Sequence, residues 1–168
     1  MEGDRTMAQA GTDNADYRER LLLYYEEEVM GAAYFTGLAR YFGGAAEREK
    51  LARLAEVERR AAEVIRPLLE KHGLVPRDVS VLKPLGEAHV ERHRRYSWAD
   101  LMAYMVARYP AYLEEFKELE RLAPEDDLPA LKLLTHHEVV TIDFANREIA
   151  GDPDSLASIR EYLDHGTA

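Results

Sequence analysis

The sequence has no cysteine among its 168 residues. This absence excludes disulfide bonds, thiolate metal ligands and a cysteine nucleophile. The sequence also lacks any apolar run near the ~20 residues that a transmembrane helix needs. The first residues, MEGDRTMAQAGTDNAD, include no apolar stretch typical of a secretion signal. We therefore expect residues 1–15 to form a polar N-terminal tail and the protein to be cytoplasmic.

Positive charge is scarce as well. The chain has 22 basic and 32 acidic residues, which gives a formal net charge of −10. A phosphate backbone or an anionic membrane surface would repel such a protein, so we expect neither nucleic acid nor a membrane as a partner. The length fits one domain, residues 16–168, that builds its core without disulfides or structural metals.

Alternating β-branched residues, the mark of strands, are absent, and apolar residues recur instead at helical spacing. The periodicity predicts an all-α protein with helices over about residues 16–42, 46–72, 97–122 and 130–150, and a short last helix over 155–165. The third helix opens with Ser97 and Asp100 in the spacing of a capping box. Glycines at 43, 44, 73 and 151 mark helix ends.

The lengths of the connections predict the topology. Short turns after the first and third predicted helices make two antiparallel hairpins. The connection over residues 74–96 is long enough to run the length of the bundle, and it leaves the second and third helices parallel. Two hairpins joined by one long crossover form a ferritin-like four-helix bundle, in contrast to a bundle with short loops throughout.

Three glutamates lie where these helices need apolar residues. Glu28, Glu58 and Glu138 each continue the i, i+3/i+4 series of the apolar face of a different helix. A buried, unpaired carboxylate costs several kcal/mol, so proteins keep one for metal ligation, proton transfer or an ion pair. Neighbouring Glu27 lies on the flank of the same face as Glu28, whereas we expect Glu26 to be solvated.

Residue numbers also predict the heights of these side chains in the bundle. Residue 43, in the first turn, is halfway between Glu28 and Glu58, so an antiparallel hairpin places both at one level. The same relation holds for Glu115 and Glu138 about the turn at residues 124–129. At ~1.5 Å per residue, a mismatch of two residues is tolerable and one of six is not. Glu115, however, lies on the flank of its helix.

The segment Glu27-Glu28-Val29-Met30-Gly31-Ala32-Ala33-Tyr34-Phe35, with the two later glutamates, resembles the ferritin-like superfamily, including its rubrerythrin and tRNA-hydroxylase branches, over about residues 17–150. In that family each hairpin supplies one Glu and one Glu-x-x-His, which together hold two iron or manganese ions. The resemblance implies Glu28 (or Glu27), Glu58 and Glu138 as ligands. The two histidines are missing, since Ala61 and Thr141 stand at their positions.

Other residues are candidates for the missing ligands. The carboxylate of the third helix would be Glu115, or that position is occupied by Tyr104. His137 is an alternative nitrogen donor, although consecutive helical residues point about 100° apart, so that ligation requires a rearranged site. His89 and His93 have the i, i+4 spacing of a metal pair but are more typical of a surface feature.

Three functions remain open from the sequence. The first is a diiron or dimanganese oxidoreductase that activates O2 or peroxide against a small molecule. Its metal ligands would be Glu28, Glu58, Glu115, His137 and Glu138, with Glu58, Glu138 and Tyr104 as catalytic residues. The second is a metal-free ferritin-like protein that binds a small molecule in the same cavity. The third is a helical scaffold with ion pairs to Arg59 or Arg108.

The first helix is apolar around most of its circumference. Beyond its main face it carries Leu23, Tyr24, Met30, Tyr34 and Leu38. A second apolar face on a helix indicates a second partner surface, so the sequence predicts a homodimer.

Overall fold

The computed structural model describes the backbone of residues 2–165 and, within that range, the side chains of residues 11 and 13–165. The described part is an all-α bundle without strands, which confirms the predicted fold class. Its helices are α1 (Glu2–Leu38), α2 (Ala45–Lys71), α3 (Val79–Ala88), α4 (Trp98–Leu122), α5 (Leu128–Ile149) and α6 (Ala157–His165). Single 3-10 turns cover Ala39–Tyr41, His89–Arg92 and Glu125–Asp127.

The start of α1 differs from the prediction. The helix begins at Glu2 and not near residue 16, and Tyr17 is the first buried residue among the described side chains. Good helix formers such as Ala8 and Gln9 precede that point, and extending an existing helix costs far less than nucleating one. The predicted helix start was therefore wrong. The division into a tail and one domain over residues 16–168 stays a prediction.

Ion pairs between distant residues define the directions of the helices. Lys50 near the start of α2 contacts Glu148 near the end of α5, whereas Lys71 at the end of α2 contacts Asp127 just before α5. Helices α2 and α5 are therefore antiparallel. Because each hairpin is itself antiparallel, α2 and α4 run parallel and need a crossover between them. This is the predicted arrangement of two hairpins joined by one long connection.

The crossover is more regular than the sequence indicated. Its helix α3 begins after Asp78, whose side chain accepts a hydrogen bond from the Ser80 backbone N–H at 2.8 Å. Helix α3 packs backbone to backbone on α1, since a Cβ atom at Gly86 would lie 2.2 Å from the Met30 carbonyl oxygen. Only glycine allows this approach.

The second apolar face of α1, from which the sequence predicted a homodimer, is largely covered by other helices of the same chain. Of the second apolar face of α1, Tyr24, Tyr34 and Leu38 are buried within the monomer. Leu23, by contrast, is 45% exposed. Most of the surface that motivated a dimer is therefore covered by the chain itself, and the homodimer stays a prediction.

Two apolar clusters form the core. One surrounds Leu51, Met105 and Phe144, and the other surrounds Ile65 and Leu131. The buried glutamates of α1, α2 and α5 lie at positions between these clusters along their helices. The predicted capping box of α4 is present, with Ser97 and Asp100 exchanging hydrogen bonds. Among the described residues, no helix combines the length and the apolar character required to cross a membrane.

Candidate metal centre

Three helices bring four potential ligands together in the middle of the bundle. Glu28 comes from α1, Glu58 from α2, and His137 and Glu138 from α5. Ligand atoms of Glu28, Glu58 and His137 all lie within 4.8 Å of one another. The His137 Nε2 atom is 3.0 Å from Glu28 Oε2, 4.0 Å from Glu58 Oε1 and 3.6 Å from Glu138 Oε2. The predicted common level of Glu28 and Glu58 is confirmed.

A local hydrogen bond orients His137. Its Nδ1 atom lies against the backbone carbonyl oxygen of Leu134, one turn earlier in α5. That contact assigns the ring proton to Nδ1 and leaves the Nε2 lone pair facing the carboxylates, as in histidines that bind metals. The Phe116 ring, with its centroid 5.4 Å from that of the imidazole, packs beside it. A histidine next to Glu138 can thus reach the site, although Thr141 and not a histidine stands three residues after Glu138.

Gly31 makes room for Glu58. A Cβ atom at this position of α1 would lie 2.5 Å from Glu58 Oε2. Glu58 therefore approaches the backbone of α1 more closely than any other residue at position 31 would allow. The sequence contained this glycine within the segment that resembles the ferritin-like superfamily, but periodicity alone assigned it no role.

The carboxylates of this group lack the partners that buried acids require. Glu28, Glu58 and Glu138 are 3%, 8% and 5% exposed. Among the described residues, Glu28 Oε2 and Glu138 Oε1 have no hydrogen-bond partner. His137 Nε2 lies 3.0 Å from Glu28 Oε2 and donates no hydrogen bond to it in the tautomer that places the proton on Nδ1, against the Leu134 carbonyl. Two acceptor atoms are therefore buried without a donor, which costs free energy unless something else binds there.

Among the described residues, no lysine or arginine side chain neutralises the group either. Arg59 and Arg108, the ion-pair partners considered from the sequence, are exposed. Within the described part of the chain, the ion pairs of Glu28, Glu58 and Glu138 involve only His137. The alternative of structural pairs with these two arginines is wrong for this site.

The pKa values reflect this environment. Burial raises the pKa of Glu28 and of Glu138 to about 8, and it raises that of Glu58 well above its usual value. Neighbouring carboxyl groups act on these values as well: Glu28 raises the pKa of Glu58 and Glu58 raises that of Glu138, whereas the hydrogen bond with Glu58 lowers the pKa of Glu28. A proton or a cation is needed to make the group neutral.

A cavity of about 210 Å³ leads from these carboxylates toward the surface. Its inner end is formed by Glu28, Glu58 and Glu138. Its walls are mostly aromatic: Tyr34, Phe35, Tyr104, Tyr109, Tyr112 and Phe116. The exposed side chains of Glu27, His89 and Arg92 lie at its mouth. The site is therefore open to a small molecule from one side.

Helix α4 contributes aromatic residues to the cavity and no carboxylate. Glu115 is exposed and lies outside the group, where its charge raises the pKa of Glu27 and of Tyr24. The equal heights calculated for Glu115 and Glu138 did not bring these two residues together, because Glu115 lies on the flank of its helix. Tyr104 is half-buried in the cavity wall, and Tyr109 is buried deeper in it.

Two polar residues that the sequence predicted to be exposed, Glu26 and His93, are buried. Glu26 is buried and not solvated, and its carboxylate accepts hydrogen bonds from the Arg77 backbone at 2.8 Å and guanidinium at 2.9 and 2.7 Å. His93 is also buried, with its Nδ1 atom 2.8 Å from the Tyr34 hydroxyl. Both expectations were wrong because each of these contacts joins α1 to the crossover, whose path helical periodicity does not specify.

Comparison with protein-family models, with curated proteins and with solved structures found no match to this chain. The geometry of the site is therefore the basis for a functional interpretation.

Proposed function

We propose that this protein binds one divalent transition metal ion, Fe(II) or Mn(II), and uses it as an oxidoreductase acting on a small molecule in the adjoining cavity. The ligands are Glu28, Glu58, His137 and Glu138. The observation that carries the proposal is the pair of buried, unpartnered carboxylate oxygens, Glu28 Oε2 and Glu138 Oε1, next to the free Nε2 atom of His137.

The donor set fits such an ion. Carboxylate oxygens and one imidazole nitrogen suit iron and manganese, whereas the absence of thiolates disfavours softer metals. A bound cation would offset the mutual repulsion of the three carboxylates and provide the missing partner of each orphan oxygen. When bound, a redox metal supplies activation of O2 or peroxide.

One ion fits the arrangement better than two. In a ferritin-like dinuclear site each of the four helices contributes a carboxylate. Here α4 lines the cavity with aromatic residues, among them Tyr109 and Phe116, and Glu115 is exposed and not among the lining residues. The bundle of two hairpins with one crossover supports a ferritin-like ancestry, and the protein would be a relative in which a dinuclear centre is reduced to a mononuclear one.

The residues around the ion have separable tasks. His137 is held in its ligating tautomer by the Leu134 carbonyl. Gly31 leaves the space for the Glu58 carboxylate. The aromatic walls limit the access of water to the inner end, and Tyr104, half-buried between the mouth and the inner end, is the candidate to contact a substrate.

Metal content after anaerobic loading with Fe(II) or Mn(II) tests the proposal. We expect about one equivalent per chain, measured by mass spectrometry on gel-filtered protein. His137→Gln and Glu58→Gln should lose the ion. His136→Gln, at the exposed neighbouring histidine, and Glu115→Gln, at the exposed glutamate, should retain it. Binding that is unchanged in the His137 and Glu58 variants would overturn the proposal.

Oxygen uptake tests the redox part separately. Fe(II)-loaded protein should consume O2 faster than the same Fe(II) in buffer, and the His137→Gln variant should not. A protein that binds the ion tightly but gives no acceleration with either O2 or peroxide would remain a metal protein and lose its assignment as an oxidoreductase.

A second function is favoured by the raised pKa values of Glu28 and Glu138, which are about 8. At neutral pH such carboxyl groups are protonated and can donate hydrogen bonds to a small ligand without any metal. In that case metal loading would fail, and a ligand of the cavity would raise the melting temperature of chelator-treated protein.

A further inference from the structure

The mouth of the cavity carries an arginine without a partner. Arg92 lines the cavity, is exposed, and forms no ion pair within the described part of the chain. By contrast, Arg94 pairs with Glu91 at 2.8 Å. An arginine directed to a cavity and left unpaired is available to a ligand, because its guanidinium presents several donors in a planar fork.

The backbone around Arg92 is anchored on both sides. Arg92 closes the 3-10 turn His89–Arg92, in which Val90 is buried against Gly37 of α1. The next residue, His93, is buried and hydrogen-bonded to Tyr34 at 2.8 Å. Because its neighbours are fixed to α1, the position of Arg92 at the mouth is a built feature of the crossover and not the end of a loose loop.

Arg92 is also the fixed positive charge of the cavity. Burial and the nearby Arg92 lower the pKa values of His89 and His93, so both imidazoles favour the neutral form. Among the described lining residues, these two histidines and Arg92 are the basic ones. An anionic group entering the mouth therefore meets one permanent cation, two histidines that favour the neutral form, and one acidic residue, Glu27.

Between this mouth and the carboxylates the cavity is lined by aromatic rings that are steeply inclined to one another. The ring centroids of Tyr104 and Tyr109 are 6.3 Å apart, and those of Tyr109 and Tyr112 are 5.6 Å apart, which makes one continuous wall. Aromatic walls favour planar apolar ligands through stacked and edge contacts. The volume, about 210 Å³, is below the range of about 300–1,000 Å³ that is typical of sites for drug-sized ligands.

We propose that the cavity binds a small aromatic carboxylate. Its carboxylate pairs with Arg92, its ring lies against the wall of Tyr104, Tyr109 and Tyr112, and its opposite edge faces Glu58 and Glu138. This assignment deepens the proposed function, because it names the substrate class of the same site, but the contact with Arg92 does not require the metal. Guanidinium and carboxylate form the strong, often bidentate pair that gives such a ligand its orientation.

Binding of benzoate to the chelator-treated full chain, measured by ligand-observed NMR and calorimetry, tests the Arg92 contact. We expect benzoate to bind more tightly than benzamide or benzylammonium. Arg92→Gln should weaken benzoate binding about tenfold, as expected for loss of a charge-assisted hydrogen bond, and leave benzamide nearly unchanged. Arg95→Gln is the matched control, since Arg95 is exposed and does not line the cavity.

Glu27, the acidic residue at the mouth, provides a second test, in which we expect the affinity for benzoate to rise instead of fall. Glu27→Gln removes a negative charge from the cavity entrance and should strengthen the binding of benzoate. Tighter binding of benzylammonium than of benzoate, equal effects of Arg92→Gln and Arg95→Gln, or no benzoate binding at millimolar concentration to either the metal-free or the Mn(II)-loaded protein would each overturn the proposal.

NMR relaxation of benzoate bound to the Mn(II)-loaded protein tests the ligand class and the metal centre separately. If both hold, the benzoate proton para to the carboxylate should relax faster than the ortho protons, because the ring edge opposite Arg92 faces the ion. Binding that depends on Arg92 but shows no Mn(II)-induced relaxation would overturn the metal centre and keep the ligand class. Faster relaxation of the ortho protons would place the carboxylate at the ion and overturn the assignment to Arg92.

Discussion

Two buried acidic regions of this protein are built in opposite ways. Asp127, just before α5, is fully buried. Its carboxylate accepts hydrogen bonds from the Tyr17 hydroxyl at 2.7 Å and from Lys71, and it lies 2.6 Å from His72 Nε2. The glutamates of the candidate metal centre have comparable burial but no basic side chain other than His137.

The difference shows that partners, and not burial, separate a structural acid from a functional one. Burial alone would raise the pKa of Asp127, but hydrogen bonds from Lys71, Tyr17 and His72 lower it below the usual value. For Glu28 and Glu138 burial dominates, and the pKa rises to about 8. A buried acid that already has its donors stabilises the fold, whereas one that lacks them requires a proton or a ligand.

Glu148 follows the pattern of Asp127. Although burial raises its pKa, hydrogen bonds from Lys50, Ser155 and Trp98 lower it overall. Asp127 and Glu148 lie near ends of the bundle, whereas Glu26, a third buried acid with partners, lies in α1 only two residues from Glu28. The presence of donors, and not the position along the helices, therefore distinguishes the two kinds of acid.

The largest expected effect is a pH dependence of stability in the metal-free protein. The folded-state pKa values of Glu28 and Glu138 are about 8, against 4.5 for the free side chain. The folded state therefore holds protons that the unfolded state releases. The stability from these groups is complete below pH 4.5 and is lost as the pH rises through about 8, by up to about 1.4 kcal/mol per pH unit for each proton.

Urea unfolding with a chelator between pH 5 and 8.5 measures this dependence. The triple variant Glu28→Gln/Glu58→Gln/Glu138→Gln should abolish most of the slope, because the pKa of Glu58 is raised as well. Asp127 should contribute nothing in this interval, because its folded-state pKa is lowered and its stabilisation is lost only as the pH falls through the acidic range. A profile that rises from pH 5 to 8.5 would contradict the assignment of raised pKa values.

The second prediction concerns Asp127, the structural acid, and the loss of its charge. Asp127→Asn removes the charge that Lys71 pairs with and leaves the Tyr17 hydroxyl with a weaker acceptor. We expect a loss of about 3 kcal/mol in the free energy of unfolding, as for other broken buried pairs. Metal affinity should stay unchanged. Asp126→Asn, at the exposed neighbouring residue, is the control and should change stability by less than about 0.5 kcal/mol.

The third prediction applies an equivalent change to the candidate centre. Glu58→Met replaces a buried carboxyl group, whose only basic neighbour among the described residues is His137, by an apolar side chain of similar length. The metal-free protein should become more stable by about 1 to 2 kcal/mol, while metal binding is lost. The same substitution at Glu148, which has partners, should destabilise the protein. Equal losses of stability at both positions would remove the distinction between the two regions.

The sequence predicts most of this fold because the relevant signals are local. The periodicity of Leu51, Leu54 and Ile65 shows the buried face of α2 directly, and the turn positions placed Glu28 and Glu58 at one level. The prediction that these two glutamates meet needed only the helical rise and an antiparallel hairpin.

The rest of the site depends on contacts that the local pattern does not contain. His137 reaches the carboxylates through its own rotamer and the hydrogen bond to Leu134, which helical angles alone did not predict. Arg77, Arg92 and His93 lie in the crossover, and their places follow from how α3 packs on α1 at Gly86. Glu115 shows the reverse case, since its matched height was outweighed by its direction on the helix.

The smallest expected effect concerns the space inside the candidate centre. Gly31→Ala places a Cβ atom 2.5 Å from Glu58 Oε2, so the carboxylate must move away from α1. Metal affinity should fall about tenfold, or about 1.4 kcal/mol, measured by competition with a fluorescent chelator. Stability of the metal-free protein should change little, because better helix propensity offsets the clash.

Gly11→Ala is the matched control for this substitution. Gly11 also lies in α1, but nothing lies within 4 Å of an added Cβ atom there. This variant should gain up to about 1 kcal/mol of stability from helix propensity and keep the full metal affinity. If Gly31→Ala also kept its affinity, Glu58 would be free to bind the ion from another position, and the close approach to α1 would be a feature of packing alone.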